Sequence, residues 1–421
     1  MKSAFFTEVR RSPMLYALPI LIFLCGMAAW RSLIPGVNTW DANSLAILSG
    51  IQLLGPVAAG ISCWISQRER QRRLAYLRIL SDERNGLVPV IQLASAVTWT
   101  VGAVLFVYAA LAIQTIYVGG YGSISASALF SACMGAAVHA AFGYLAGWLI
   151  PRTVVAPVVA LVAYLYIVLN LDYPGSWFYL LAPVTSERPS VFVEWQPNIF
   201  LAQGAWLACV LILLAALCAI SSMPRKIYLA AGGTSLALAL CFGLIMQSYD
   251  GHVFAGGFAR PKPVCKGQSP TVCVHPAFKN SAQPVSNAFH QLAARFGTSP
   301  LAFDRLEQRA TGDFSPLPKG TLRVTLDDEA PGYTDLARNY FVTDLVDQAA
   351  CSRRKDIEGR AYTEVVSAWL LDTQIRLPSR FRDAEQKFRN ATEEKRREWF
   401  GQHVNDFRTC GLSSQSFDTV S

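Results

Sequence analysis

Charged residues are scarce in this chain and unevenly placed. Asp, Glu, Lys and Arg make up 16% of the 421 residues, whereas 52% are hydrophobic. Residues 1–250 contain only 14 Lys/Arg and 9 Asp/Glu, and residues 251–421 contain 23 and 20. This balance excludes a wholly water-soluble protein. It predicts a membrane-embedded part followed by a soluble domain, and the net charge of +8 gives no reason to expect nucleic acid as a partner.

Seven apolar runs contain no Asp, Glu, Lys or Arg and are about 17–30 residues long, enough to cross a hydrocarbon core. Helices are the expected structure, because backbone exposed to lipid must satisfy its own hydrogen bonds. We therefore predict an all-α polytopic membrane protein with about seven transmembrane helices between residues 14 and 247. The runs are Met14–Trp30, Asn43–Ile65, Leu87–Ile116, Ile124–Ile150, Thr153–Leu169, Ile199–Ser221 and Ile227–Gln247.

The basic residues of the short loops predict the orientation. With the N-terminus in the cytoplasm, twelve of the 14 Lys/Arg of residues 1–250 lie inside, and only Arg31 and Arg188 lie outside. An odd number of crossings then places residues 251–421 outside. The sequence predicts a multi-pass plasma-membrane protein with a cytoplasmic N-terminus and an extracytoplasmic C-terminal domain.

Catalytic motifs are absent from the whole sequence. It contains no HExxH pair, no GxSxG turn and no GxxxxGK[ST] phosphate loop. The five histidines are scattered without a ligand spacing. We therefore predict no enzyme activity, no catalytic residues, no metal site and no cofactor, although a triad assembled from distant residues stays open.

Four of the ten cysteines lie in the predicted external domain, and the other six lie in apolar runs. An even number in an oxidising compartment predicts two disulfides, for which three pairings exist. We favour Cys265–Cys273 with Cys351–Cys410 over the other pairings. A zinc site is the rival hypothesis, but no CxxC pair occurs and His275 is the only nearby imidazole.

The external domain is predicted to be an α-rich (α+β) domain spanning residues 251–421. Its apolar periodicity favours helices, together with one strand at Thr321–Leu326. The predicted helices are Val285–Phe296, Thr334–Ala350, Asp356–Ile375 and Arg380–Thr409.

Small residues, with one histidine among them, recur every four positions along the fourth run. They are Ser127, Ser131, Gly135, His139, Gly143 and Gly147. Such a face predicts close helix–helix packing or dimerisation. The single imidazole in it marks either a proton or substrate path or a hydrogen-bonded packing residue. The lack of carboxylates and of Lys or Arg in the runs argues against an ion-coupled transporter.

The stretch SQRERQRRLAYLRILSDERNG, residues 66–86, carries six arginines and a leucine edge between two apolar runs. One hypothesis is a topological anchor that also meets anionic membrane lipids. The other is a short cytoplasmic helix that docks on a partner. The candidate partner-binding residues are Arg68, Arg70, Arg72, Arg73, Leu74, Leu77, Arg78 and Leu80.

The layout of residues 1 to about 222 resembles the membrane subunit of type-2 ABC transporters. MKSAFFTEVRRSP, residues 1–13, matches the amphipathic helix before the first span, and RERQRRLAYLRIL matches the coupling helix between the second and third spans. Pro151-Arg152 follows the fourth span, where the family has a second cytoplasmic contact. The proline-broken apolar segment 171–198 matches the external re-entrant hairpin. The seventh run and the external domain depart from the pattern.

This resemblance implies the permease subunit of an ATP-driven exporter, powered by a separate cytoplasmic ATP-binding cassette subunit. It also implies assembly as a homodimer or heterodimer through the transmembrane domain. The alternative function is a membrane-anchored extracytoplasmic receptor or accessory protein, whose function resides in residues 251–421. A hydrolase is the third hypothesis.

Overall fold

The computed structural model describes residues 2–71, 87–173, 176–183, 190–219, 225–249, 253–254, 257–297, 299–354 and 357–420. The chain forms two compact units. The helical unit comprises residues 1–34 and 38–257, and the C-terminal unit comprises residues 258–421 together with residues 35–37.

The helical unit contains eight α-helices in its described part. They are α1 (Lys2–Arg11), α2 (Pro13–Ser32), α3 (Trp40–Gln71), α4 (Leu87–Val118), α5 (Ala126–Leu149), α6 (Val155–Leu171), α7 (Pro197–Cys218) and α8 (Arg225–Gln247). Within the described residues, six of them are long and apolar enough to cross a membrane. At 17 residues α6 is shorter, and α1 is the predicted N-terminal amphipathic segment. The prediction of a helical multi-pass membrane protein is confirmed at this level, and a seventh crossing by α6 stays a prediction.

Local sequence signals explain where several of these helices begin. Ser12 caps α2, because its Oγ accepts a hydrogen bond from the Met14 N–H, and Pro13 occupies the first helical position. Ser125 caps α5 in the same way through the Ala128 N–H. Pro197 stands at the start of α7. Each cap supplies an acceptor, or removes a donor, where the first turn has no partner within the helix.

The two most buried helices, α3 and α5, lie at the centre of the helical unit. Helix α3 packs against α2, α4, α5 and α6, and α5 packs against α3, α4, α6 and α7. Helix α1 contacts α4, where the Trp99 Nε1–H donates to the Val9 carbonyl at 2.9 Å. The outward faces expose large apolar side chains such as Phe23, Phe106 and Leu240. Apolar surface of this extent fits contact with lipid.

Hydrogen bonds join loops that the predicted topology places on the same side. The Tyr121 N–H donates to Asn38, and the Trp40 N–H donates back to Tyr121. The Gln196 N–H donates to the Val253 carbonyl at 3.1 Å. The loop before α3 therefore pairs with the loop before α5, and the end of segment 171–198 pairs with the chain after α8.

The C-terminal unit contains a four-stranded sheet in the order β1–β2–β3–β4, with strands at Val264–Lys266, Thr271–Val274, Arg305–Gln308 and Thr321–Val324. Strands β1 and β2 form an antiparallel hairpin, whereas β3 lies parallel to both β2 and β4. The predicted strand corresponds to β4. The other three strands, β1, β2 and β3, were not predicted from the sequence.

The helices of this unit are α9 (Ala282–Phe296), α10 (Tyr333–Leu345), α11 (Gln348–Arg354), α12 (Ile357–Leu371), α13 (Arg382–Asn390) and α14 (Glu393–Arg408). Two helices that were predicted to be continuous are each divided into two helices, so these predictions were wrong. The helix predicted over 334–350 is divided between α10 and α11, where Val346 is extended. The helix predicted over 380–409 breaks at Ala391, after which the Thr392 Oγ1 caps α14 by accepting from the Lys395 N–H. A good capping residue outweighed the continuous apolar pattern.

Aromatic side chains fill the core of the C-terminal unit. Phe296 makes edge-to-face contacts with Phe303, Phe341 and Phe400 at centroid distances of 5.1–6.1 Å. Both predicted disulfides, Cys265–Cys273 and Cys351–Cys410, are present. The first closes the β1–β2 hairpin and the second ties α11 to the end of α14, so the pairing favoured from the sequence is confirmed.

Candidate functional site

The arginine-rich segment is described only where it continues α3. This helix extends to Gln71, and the Arg68 guanidinium lies over the Trp64 ring at 5.4 Å from its centroid. The backbone of Arg70 is helical. The remaining candidate partner-binding residues, Arg72, Arg73, Leu74, Leu77, Arg78 and Leu80, lie outside the described residues.

The small-residue face of α5 packs directly on α3. A Cβ atom added at Gly55 would lie 3.0 Å from the His139 ring, and one added at Gly143 would lie 2.5 Å from the carbonyl carbon of Ala59. One added at Gly147 would lie 2.9 Å from the carbonyl carbon of Cys63. These three contacts share a constant offset of 84 residues. The two helices therefore run parallel, as the predicted second and fourth spans must.

Other residues of this face also contact neighbouring elements within one chain. Gly135 lies against the Pro183 ring, and Ser131 hydrogen-bonds to Gln203. The His139 Nδ1–H donates to the Gly135 carbonyl at 2.8 Å, and the side chain is 6% exposed. The ring thus serves as a packing residue with an intrahelical hydrogen bond, which favours the structural hypothesis over a proton path.

Gln203 is a buried polar residue that sequence reasoning missed. It lies on α7 and is 3% exposed. Its Oε1 accepts from the Ser131 hydroxyl at 2.5 Å, and its Nε2 donates to the carbonyls of Leu180 at 2.8 Å and Ala182 at 3.0 Å. It was detectable, because it is the one amide side chain in the apolar run 199–221. A buried amide in such a run requires partners.

The partners of Gln203 belong to the predicted re-entrant segment 171–198. A 3₁₀ helix at Trp177–Leu181 buries Tyr179 and Leu180 within the helical unit. The Tyr166 hydroxyl on α6 donates to the Leu181 carbonyl at 3.1 Å. Residues 176–183 are thus held by side chains from α6 and α7, and Pro183 packs against Gly135 of α5. Irregular backbone buried among transmembrane helices is tolerated where side chains satisfy its carbonyls, as they do here.

Among the described residues, no three His, Cys, Asp or Glu side chains come together as metal ligands would. Comparison of the chain with protein-family models, with curated proteins and with solved structures found no match.

Proposed function

We propose that this chain is the membrane-spanning permease subunit of an ATP-driven, ABC-type exporter, with no catalytic residues of its own. A separate cytoplasmic ATP-binding cassette subunit supplies the energy. The observation that carries the proposal is the 3₁₀ segment 177–181, which Gln203 and Tyr166 hold among the helices. In chain order it stands where the family that the sequence resembles has its external re-entrant hairpin, and this supports the proposal.

Two further features support the same function. Helix α1 lies against α4, in the position of the amphipathic helix that precedes the first span. Helix α3 continues beyond the apolar run to Gln71, toward the segment with the coupling-helix pattern. The apolar runs also lack charged side chains, so an external energy source suits this chain better than an ion gradient.

The partner docking is tested by replacing Leu74 and Leu77 with Asp. If the leucine edge enters a groove on the ATPase, each change removes roughly 1.5–3 kcal/mol of apolar burial and places a charge in a desolvated contact. The variant should insert in normal amount but lose the co-purifying ATPase. Replacing Arg70 and Arg73 with Gln is the matched control, which should weaken partner binding only in a salt-dependent way.

Retention of an ATPase and of wild-type transport by the double-Asp variant would reduce the 66–86 segment to a topological anchor. The permease proposal would then lose its predicted contact with the ATPase. Orientation is tested separately in a Cys241→Ser background, since Cys241 is the exposed free cysteine of the described residues. An impermeant thiol reagent on intact cells should label Gln415→Cys and leave Ala75→Cys unlabelled.

The alternative, an extracytoplasmic receptor or accessory protein, is favoured by the build of the C-terminal unit. This unit has its own aromatic core and two disulfides, and it contains a polar cleft described below. If affinity purification from detergent recovers no ATPase under any condition, the alternative replaces the permease proposal.

A further inference from the structure

A cleft of about 410 Å³ opens on the C-terminal unit, among the last turn of α9 and helices α12, α13 and α14. Val365, Ala368, Trp369 and Phe388 form its apolar floor. Its rim is polar and carries Arg295, Asp372, Thr373, Gln374, Glu385, Arg389 and Arg396. The volume falls within the range of about 300–1,000 Å³ that small-molecule sites occupy.

One side of the cleft is formed by Arg295 and its hydrogen-bond partners. Its guanidinium donates to Glu393 at 3.0 Å, to Asp372 at 2.6 Å and to the carbonyls of Trp369 and Leu370. The Trp369 indole N–H donates to the other oxygen of Glu393 at 3.1 Å. Four of the five N–H donors of Arg295 are therefore engaged, so this residue mainly shapes the cleft.

Two other arginines of the rim keep donors that no described residue uses. Arg389 pairs with Glu385 through Nη2 at 2.8 Å, and its side chain is 62% exposed. Arg396 pairs with Glu393 through Nη2 at 3.1 Å. The Nη1 groups of both have no hydrogen-bond acceptor in the described part of the chain. The acids of the rim, Asp372 and Glu385, are already paired with arginines. The unused donors of these two arginines suit an anion.

The backbone at the rim supplies a second observation. Asp372 has a φ of 55°, a left-handed conformation that glycine usually adopts after the end of a helix. An aspartate there costs free energy that a glycine would not. Its carboxylate reaches Arg295 at 2.6 Å and Arg338 at 3.6 Å. This left-handed residue ends α12 in a turn that the Thr373 N–H closes by donating to the Ala368 carbonyl, and it brings the Asp372 carboxylate to the rim of the cleft.

We propose that this cleft binds a small hydrophilic molecule through a carboxylate group, which Arg389 and Arg396 hold. A carboxylate presents two oxygens in one plane and matches the paired donors of a guanidinium. Thr373 and Gln374 lie on the exposed rim, where they can hydrogen-bond to the polar body of the molecule. The carboxylate is supplied either by the C-terminus of a short peptide or by an acidic sugar. The site lies wholly within the C-terminal unit and does not rest on the permease proposal.

The test is isothermal titration calorimetry on the full-length protein in uncharged detergent micelles. The probes are trialanine, its C-terminal amide and glucuronate. At least one of the two carboxylates should bind, and the amide should not. Binding of trialanine alone identifies a peptide ligand, and binding of glucuronate alone identifies an acidic sugar.

Arg389→Gln should weaken binding about tenfold, because it removes one charge-assisted contact. Its exposed position leaves the fold intact. Arg382→Gln is the matched control, since Arg382 is exposed on the same helix outside the cleft, and it should leave binding unchanged. The proposal is overturned if neither carboxylate binds at about 10 mM, if the amide binds as tightly as the acid, or if Arg389→Gln binds like the wild type.

Discussion

Replacing Gly143 with Ala tests the packing of α5 on α3. The added Cβ would lie 2.5 Å from the carbonyl carbon and 2.6 Å from the Cα of Ala59. Carbon atoms in ordinary contact are about 3.5–4.0 Å apart, so the two helices must separate by roughly 1 Å. The obstacle is backbone, which cannot rotate away as a side chain can. The neighbouring contacts at Gly55 and Gly147 would be stretched at the same time.

The expected loss of stability is about 1–3 kcal/mol, the usual cost of overpacking a closely packed core. Part of it is offset, because Ala is favoured over Gly in a helix by up to about 1 kcal/mol. Gly102→Ala on α4 is the matched control, since nothing lies within 4 Å of a Cβ at that position. This control should be neutral or slightly stabilising, so the difference between the two variants isolates the packing cost.

Unfolding in mixed micelles with increasing sodium dodecyl sulfate provides the measurement. A double variant that also carries Ala59→Gly should not recover the lost stability, because the contacted atoms of Ala59 are backbone atoms. If Gly143→Ala proves as stable as Gly102→Ala, the close approach of α3 and α5 is wrong. Rescue by Ala59→Gly would show instead that side chains set the distance.

Three further predictions concern buried polar groups and the disulfides. Gln203→Leu leaves two buried carbonyls without a donor, so stability in micelles should fall by about 1–3 kcal/mol and amide exchange in residues 176–183 should accelerate; unchanged exchange would contradict the bracing role. Desolvation raises the pKa of Glu393, but hydrogen bonds from Trp369 and Arg295 outweigh it and hold the pKa below its ordinary value of 4.5. The stability from this lowered pKa is present above pH 4.5 and is lost as the pH falls through the lowered value. In denaturant titrations, Glu393→Gln should therefore be less stable than the wild type at pH 7 and should lose less stability on acidification. If both proteins lose the same stability on acidification, the assignment is refuted. Removing the Cys351–Cys410 disulfide, which closes 59 residues, should cost about 4 kcal/mol in the same titrations; a loss below about 1 kcal/mol would contradict it.

The sequence by itself determined the helical character of the long apolar runs between residues 14 and 247. An apolar run of some twenty residues without charge has one stable structure in lipid, whatever its neighbours are. The α3–α5 contact also has a local signal, because a small residue at every fourth position lies on one helix face. The disulfide pairing was favoured from the sequence because one bridge closes a short loop and the other joins two predicted helix ends.

Only the tertiary structure decided which surfaces these local signals meet. The small-residue face could have packed on a second copy of the chain, and its contact with α3 depends on residues 84 positions away. The partners of Gln203 lie 21 to 72 residues away. Beside the cleft, Arg295 hydrogen-bonds to Glu393, which lies 98 residues further along the chain. Hydrogen bonds and charge pairs at such separations depend on how helices are placed in space, and hydrophobic periodicity reports only which face of each helix is buried.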